Sequence, residues 1–239
     1  MGKIFNFEGP VFTVLSRLAD LFWLNLLFIV CSIPIVTIGA SATAMYYVTL
    51  KMAKDEEGYI TKSFFKSFKQ NFLQATGIWL IYLVLIVVLV LDLRIANGGS
   101  LADILASNTI SNVVIVSACV MGVVLLITGT YVFPVLSKFD NTIKNTVKNA
   151  FLISIRHLPY TVVMLVIGAV PWVLMWFSPA AYLLLFIMFA LLAYINSKFF
   201  NKIFENYVPK EENLTECDEE GVTSGILEEV DGKVGEKIE

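Results

Sequence analysis

Residues 17–42, RLADLFWLNLLFIVCSIPIVTIGASA, decide the fold. The run approaches the length of about 20 apolar residues that crosses a bilayer, yet it holds a cation, an anion and an amide and ends in small side chains. A cleavable signal, the core of a soluble domain and a membrane span with polar residues are the three readings. Ala40, Ser41 and Ala42 look like a small-residue cleavage site. Against cleavage, the apolar stretch is too long, Arg17 and Asp20 interrupt it, and Lys3 is the whole of the basic n-region. The segment is therefore expected to remain.

Composition decides between the other two. The chain of 239 residues is 57% hydrophobic and 15% charged, with mean hydropathy +0.77. Soluble domains carry roughly 45–50% apolar and about 25% charged residues. Several further apolar runs have membrane-spanning length, so the expected class is all-α, a polytopic helical membrane protein with about six transmembrane helices. The spans are placed at about 10–33, 36–53, 72–95, 108–135, 159–177 and 180–199. The second is short and rich in Gly, Ala, Ser and Thr, and reads equally as a re-entrant or broken helix buried by its neighbours. Pro34 falls at the corner before it, where a missing N–H costs little.

Charge sets the orientation. Residues 1–208, the transmembrane helical domain, hold 14 Lys and Arg against 9 Asp and Glu, whereas 209–239 hold 3 against 11. Lys51, Lys54, Lys62, Lys66 and Lys69 collect in one connection, Lys138, Lys144, Lys148 and Arg156 in another, and Lys198 and Lys202 follow the last span. Positive loops stay in the cytoplasm. Six spans with N- and C-termini cytoplasmic satisfy this bias with Arg94 as the exception, and place the chain in the cell membrane as a multi-pass protein. The acidic tail from 209 has few bulky apolar residues and is expected to be disordered and cytoplasmic.

Three intramembrane polar residues need partners. Arg17 and Asp20, at i and i+3, are expected to pair along one helix face, because an unpaired charge in the bilayer costs a few kcal/mol. Asn25 lies off that face and is expected to make an interhelical hydrogen bond. As a functional alternative, all three line a solute path. Gly39, Ala40, Ser41, Thr43 and Ala44 form a small-residue face for close helix packing or for a partner helix.

In YITKSFFKSFKQNFL, residues 59–73, helical spacing aligns Phe65, Phe68 and Phe72 with Lys62, Lys66 and Lys69 on the flanks. This is the pattern of a cytoplasmic interfacial helix, with Phe65, Phe68, Lys69 and Phe72 at the lipid boundary or at a docking protein. Residues 139–159 repeat it more mildly. SFKQNFL (67–73) and TVKNAFL (146–152) share Lys, Phe and Leu at one offset, a faint sign of two parallel repeats.

Chemistry is thinly represented. His157 stands alone in sequence, and Cys31, Cys119 and Cys217 show no paired spacing, so no metal-ligand set is expected. Phosphate-cradling loops, nucleophile elbows and metalloprotease helix motifs are missing from the sequence. No catalytic residue, cofactor or nucleic-acid partner is expected, and the chain is not expected to be an enzyme. A binding, permeation or assembly role in the lipid bilayer remains.

LNLLFIVCSIPIVTIGASATAMYYVTLKMAKDEEGYITKSFFKSFKQNFLQA (24–75), followed by FPVLSKFDNTIKNTVKNAFLISIRHLP (133–159), resembles the YesL-like family of bacterial integral membrane proteins, a domain of unknown function. The likeness covers roughly residues 5–205. Members of that family are encoded beside carbohydrate ABC importers and polysaccharide-degrading enzymes. The resemblance implies a non-enzymatic accessory role in carbohydrate or oligosaccharide import, with permease or ATPase subunits of a sugar ABC importer as partners. It carries over no catalytic residues. NTVKNAFLISIRHLP lacks the Glu-Ala-Ala and downstream Gly of an importer permease's coupling segment, so the chain is expected to accompany a permease. The alternative is a small solute transporter or channel built from two parallel helical repeats.

Overall fold

Proline and threonine shape the first corner of the chain. The computed structural model describes residues 10–56, 58–96, 108–177 and 185–207. In it α1 (Pro10–Ser32) ends at SIPIVT, and a single 3-10 turn (Ile35–Thr37) reverses the chain into α2 (Ile38–Met52). Thr37 holds this corner, its hydroxyl donating to the carbonyls of Cys31 (2.6 Å) and Pro34 (2.7 Å). Trp79 adds a third tie, its indole N–H donating to Ile35 O at 2.7 Å.

The remaining helices are α3 (Ile60–Ala96), α4 (Asn108–Lys138), α5 (Ile143–Arg156), α6 (Leu158–Phe177) and α7 (Leu185–Phe204). Every regular element among the described residues is helical. Four of these helices are long and apolar enough to cross a membrane, over Thr13–Ser32, Ile60–Arg94, Asn112–Lys138 and Leu158–Trp176. α2, at 15 residues, is roughly 22 Å long and short of a bilayer core of about 30 Å. The described part of α7 is set apart by Asn196, Lys198, Asn201 and Lys202 in its second half. The expected acidic tail (209–239) and the start of the expected sixth span (180–184) lie outside the described residues.

One expectation is corrected here. The interfacial helix of residues 59–73 is not a separate element, because α3 runs unbroken for 37 residues. Between Ile60 and Ala96 no proline interrupts the hydrogen-bond ladder, and Gly77 alone is too weak a breaker. The related segment 146–152 behaves differently. Pro159 disfavours helical geometry at the residue before it and lacks an N–H, and the chain breaks at His157 (φ −114, ψ 38) between α5 and α6. Burial nevertheless follows the shared offset: Ser67, Asn71 and Ala75 are buried on α3, and Thr146, Ala150 and Ser154 on α5.

Two units divide the chain, Met1–Asn201 and Lys202–Glu239. In the second, Asn206 N–H donates to Ile203 O (3.2 Å) and Tyr207 N–H to Phe204 O (2.9 Å), closing the helix end. In the first, α2 packs along α3, α3 along α4 and α4 along α5. Its core joins Leu21, Leu24 and Phe28 of α1 to Met45, Val48 and Phe64. Gly39 permits the tightest crossing: a Cβ there would lie 2.5 Å from Ala75 O and 2.7 Å from Trp79 Cβ. Ala40, Ser41, Thr43 and Ala44 are likewise buried within the chain. The small-residue face that could have met a partner helix is spent on the protein's own helices.

Candidate functional site

The loop between α2 and α3 is built by a helix cap. Asp55 N–H donates to Met52 O (3.2 Å) and Glu56 N–H to Lys51 O (3.1 Å). This is the Schellman pairing of a C-terminal cap, which puts its C′ residue in the left-handed region. Asp55 occupies that position with φ 58, where glycine is commonest and Asp is tolerated. What Asp supplies beyond glycine is a carboxylate, and it reaches Arg17 on α1.

Arg17 consequently pairs with Asp55 and not, as its spacing suggested, with Asp20. Its other terminal nitrogen, Nη1, donates to Tyr194 Oη of α7 at 2.8 Å. The arginine thus joins α1, the α2–α3 loop and α7. Side-chain exposures of 32% for Arg17 and 73% for Asp55 place the pair among partly solvated salt bridges, worth at most about 1 kcal/mol. Its role is to set the loop's position more than to hold the fold together.

Freed from Arg17, Asp20 makes no ion pair or hydrogen bond among the described residues. It stands on the wall of a cavity of about 320 Å³, bounded by Trp23 of α1, Val48 and Lys51 of α2, and the turn Gly58–Thr61 that opens α3. Trp23 fastens one side, its indole N–H donating to Thr61 Oγ1 at 3.0 Å. The Lys51 ammonium lies 4.7 Å from the centre of the Tyr47 ring, a cation–π contact. Asp20 and Lys51 both border the chamber, with the Lys51 ammonium drawn to the Tyr47 ring outside its lining.

Farther along α1 the interior is sealed. Asn25 is fully buried, and its Oδ1 accepts the backbone N–H of Ala190 at 3.0 Å. That is the interhelical bond expected of it. Arg17, Asp20 and Asn25 do not line one continuous path: the first is clamped to the loop, the second faces the chamber, and the third is closed in by α7.

On α3 the stripe buried by the fold runs beside the Phe65, Phe68 and Phe72 face. The buried stripe is Phe64, Ser67, Asn71, Ala75, Ile78 and Tyr82, a helical face of i, i+3, i+7 spacing. Phe65 is 39% exposed, while Phe68 and Phe72 are half-buried and Lys69 is exposed. The rings of Phe64 and Phe68 stack at 6.1 Å, and Phe68 meets Phe72 at 5.5 Å. Tyr59, Lys62, Phe65, Lys66 and Lys69 edge a shallow surface depression beside the chamber. Asp55, Tyr194 and Lys51 were not anticipated. Asp55 was visible only as one of three acids in the KDEEG connection, and no local signal marks Tyr194.

The helices and this chamber define an all-helical protein of membrane-helix character. More particularly, residues 21–93, which hold most of α1, all of α2 and most of α3, match the model of a family described as "Protein of unknown function, DUF624". No curated protein and no solved structure matches the chain. The matched stretch includes Asp20's neighbours on the chamber wall and the entire α2–α3 loop.

Proposed function

We propose that this protein is a non-enzymatic accessory subunit of the cell membrane that docks a partner through the start of α3. The carrying observation is the exposed face there: Tyr59 is 85% exposed and shares its depression with Phe65, Lys62, Lys66 and Lys69. Large rings left in solvent beside three cations suit a partner with an apolar, acidic surface. The YesL-like resemblance supports the choice of partner, the permease or ATPase subunits of a carbohydrate or oligosaccharide ABC importer. Counting α7, and α2 as a span shorter than the bilayer core that local thinning accommodates, with the four long helices gives six spans, and the lysine distribution then supports cytoplasmic termini and a cytoplasmic α2–α3 loop. Affinity purification of the tagged full chain from its native membrane is the test. Importer subunits are expected in near-equal amounts, and are lost when Phe65→Ala is combined with Lys62→Gln, Lys66→Gln and Lys69→Gln while the elution volume is unchanged. Recovery of the chain alone contradicts the proposal.

A second reading, a small solute transporter or channel, is favoured by one observation, the unpartnered Asp20 carboxylate on the chamber wall. It requires a route past Asn25. Solute flux into proteoliposomes that disappears in Asp20→Asn supports it, and flux indistinguishable from empty vesicles sinks it.

A further inference from the structure

Between α3, α4 and α5 lies a second cavity of about 460 Å³, within the roughly 300–1,000 Å³ range of ligand sites. Its buried lining is Ile78 and Tyr82 of α3 and Thr128 of α4, with Ile81, Met121 and Val124 nearer the surface, and the exposed Lys144 and Lys148 of α5 also border it. Apart from the hydroxyls of Tyr82 and Thr128, the remaining lining is apolar, and no carboxylate contributes to it. α3 and α4 are both of membrane-crossing length, so the apolar part faces acyl chains. The two lysines, four residues apart, share one face of α5 and are exposed.

We infer that this cleft is a site for an anionic diacyl phospholipid, with an acyl chain between α3 and α4 and the phosphate at Lys144 and Lys148. Charge complementarity selects the occupant. Two uncompensated cations at the mouth of an apolar groove match an anionic head group joined to a chain, the arrangement by which basic pockets between membrane helices hold acidic lipids. A zwitterionic lipid fills the same groove without the net attraction. A soluble peptide would have to enter between two membrane-length helices. The inference rests on α3, α4 and α5 alone and is independent of what docks at the start of α3.

Native mass spectrometry of the full chain in mild detergent, with phosphatidylglycerol or phosphatidylcholine added, tests it. Phosphatidylglycerol is expected to be retained about 30-fold more strongly, on the roughly fivefold that each lysine near a charged head group contributes. The preference should vanish in Lys144→Gln/Lys148→Gln and in Leu125→Trp, which fills the groove, and persist in Lys62→Gln/Lys66→Gln. Equal retention of the two lipids overturns the site, as does a preference unchanged in Lys144→Gln/Lys148→Gln. Displacement of bound phosphatidylglycerol by inorganic phosphate alone also overturns it, since the acyl chain would then contribute nothing.

Discussion

The two ends of α3 sit in contrasting surroundings. Its first half joins a region pinned by polar contacts between distant segments: Arg17 to Asp55 and Tyr194, Asn25 to Ala190, Thr49 to Ser197 at 2.8 Å, and the Asn201 amide to Leu50 O at 3.0 Å. Its second half joins α4 in a region whose outward side chains, among them Val84, Val88, Val116 and Val123, are exposed and apolar. There the side chains of Tyr82 on α3 and Thr128 on α4 are hydrogen-bonded to each other. Lipid is as apolar as leucine, so apolar burial barely distinguishes a helix neighbour from a lipid neighbour. Polar pairs and close small-residue crossings make that distinction. The first region has a fixed geometry and hence can hold a chamber with the Asp20 carboxylate on its wall. The second presents surface to lipid.

The largest expected effect separates the regions by glycine. Gly39→Leu must displace the backbone at Ala75, and overpacking of this kind costs about 1–3 kcal/mol or more. Gly168 on α6 has nothing within 4 Å of the place a Cβ would occupy, so Gly168→Leu should change little. Thermal unfolding in detergent, followed by helical circular dichroism, should show a strong loss for Gly39→Leu and nearly none for Gly168→Leu. Equal losses would remove the distinction.

Next comes Asn25→Leu, which keeps volume but withdraws the acceptor from Ala190. Interhelical hydrogen bonds in membranes are worth roughly 0.6 kcal/mol, up to about 1.7, and full burial puts Asn25 near the upper end. The same unfolding assay should register a loss of about 1–2 kcal/mol. A neutral result would show that packing alone aligns α1 with α7.

Asp55→Asn should have the smallest effect on stability, less than about 1 kcal/mol, with a larger effect on the loop. Limited trypsin digestion at Lys54 should accelerate in the variant and, for the parent protein, in high salt, which screens the exposed pair. Unchanged cleavage in both would mean that the Schellman cap positions the loop without Arg17.

Much of this architecture was legible in the sequence, and the reason lies in which interactions are local. The expected span at 10–33 and the one beginning at 108 correspond to α1 and α4, because long apolar periodicity and the proline at the first corner act within a few residues. Asn25 was recognisable because a buried amide in a membrane helix must find a partner. The partner of Arg17 was not, since it depends on the cap that rotates Asp55 toward α1, 38 residues away. The phenylalanines at 64, 65, 68 and 72 offer two overlapping stripes on α3, and reading 65, 68 and 72 as the lipid or docking face did not say which stripe the fold buries. Extending the pattern through Ser67, Asn71 and Ala75 to Ile78 and Tyr82 selects the buried one. The contacts of Thr49 and Asn201 span 148 and 151 residues and leave no local trace.

The most direct test of the account is site-specific photo-crosslinking in native membranes, with a photoreactive residue at Phe65 in one variant and at Val166 on α6 in another. The account predicts a discrete adduct with an importer subunit from Phe65 and only lipid adducts from Val166. No protein adduct at Phe65, or the same adduct from both positions, would contradict the assignment of the start of α3 as the docking face.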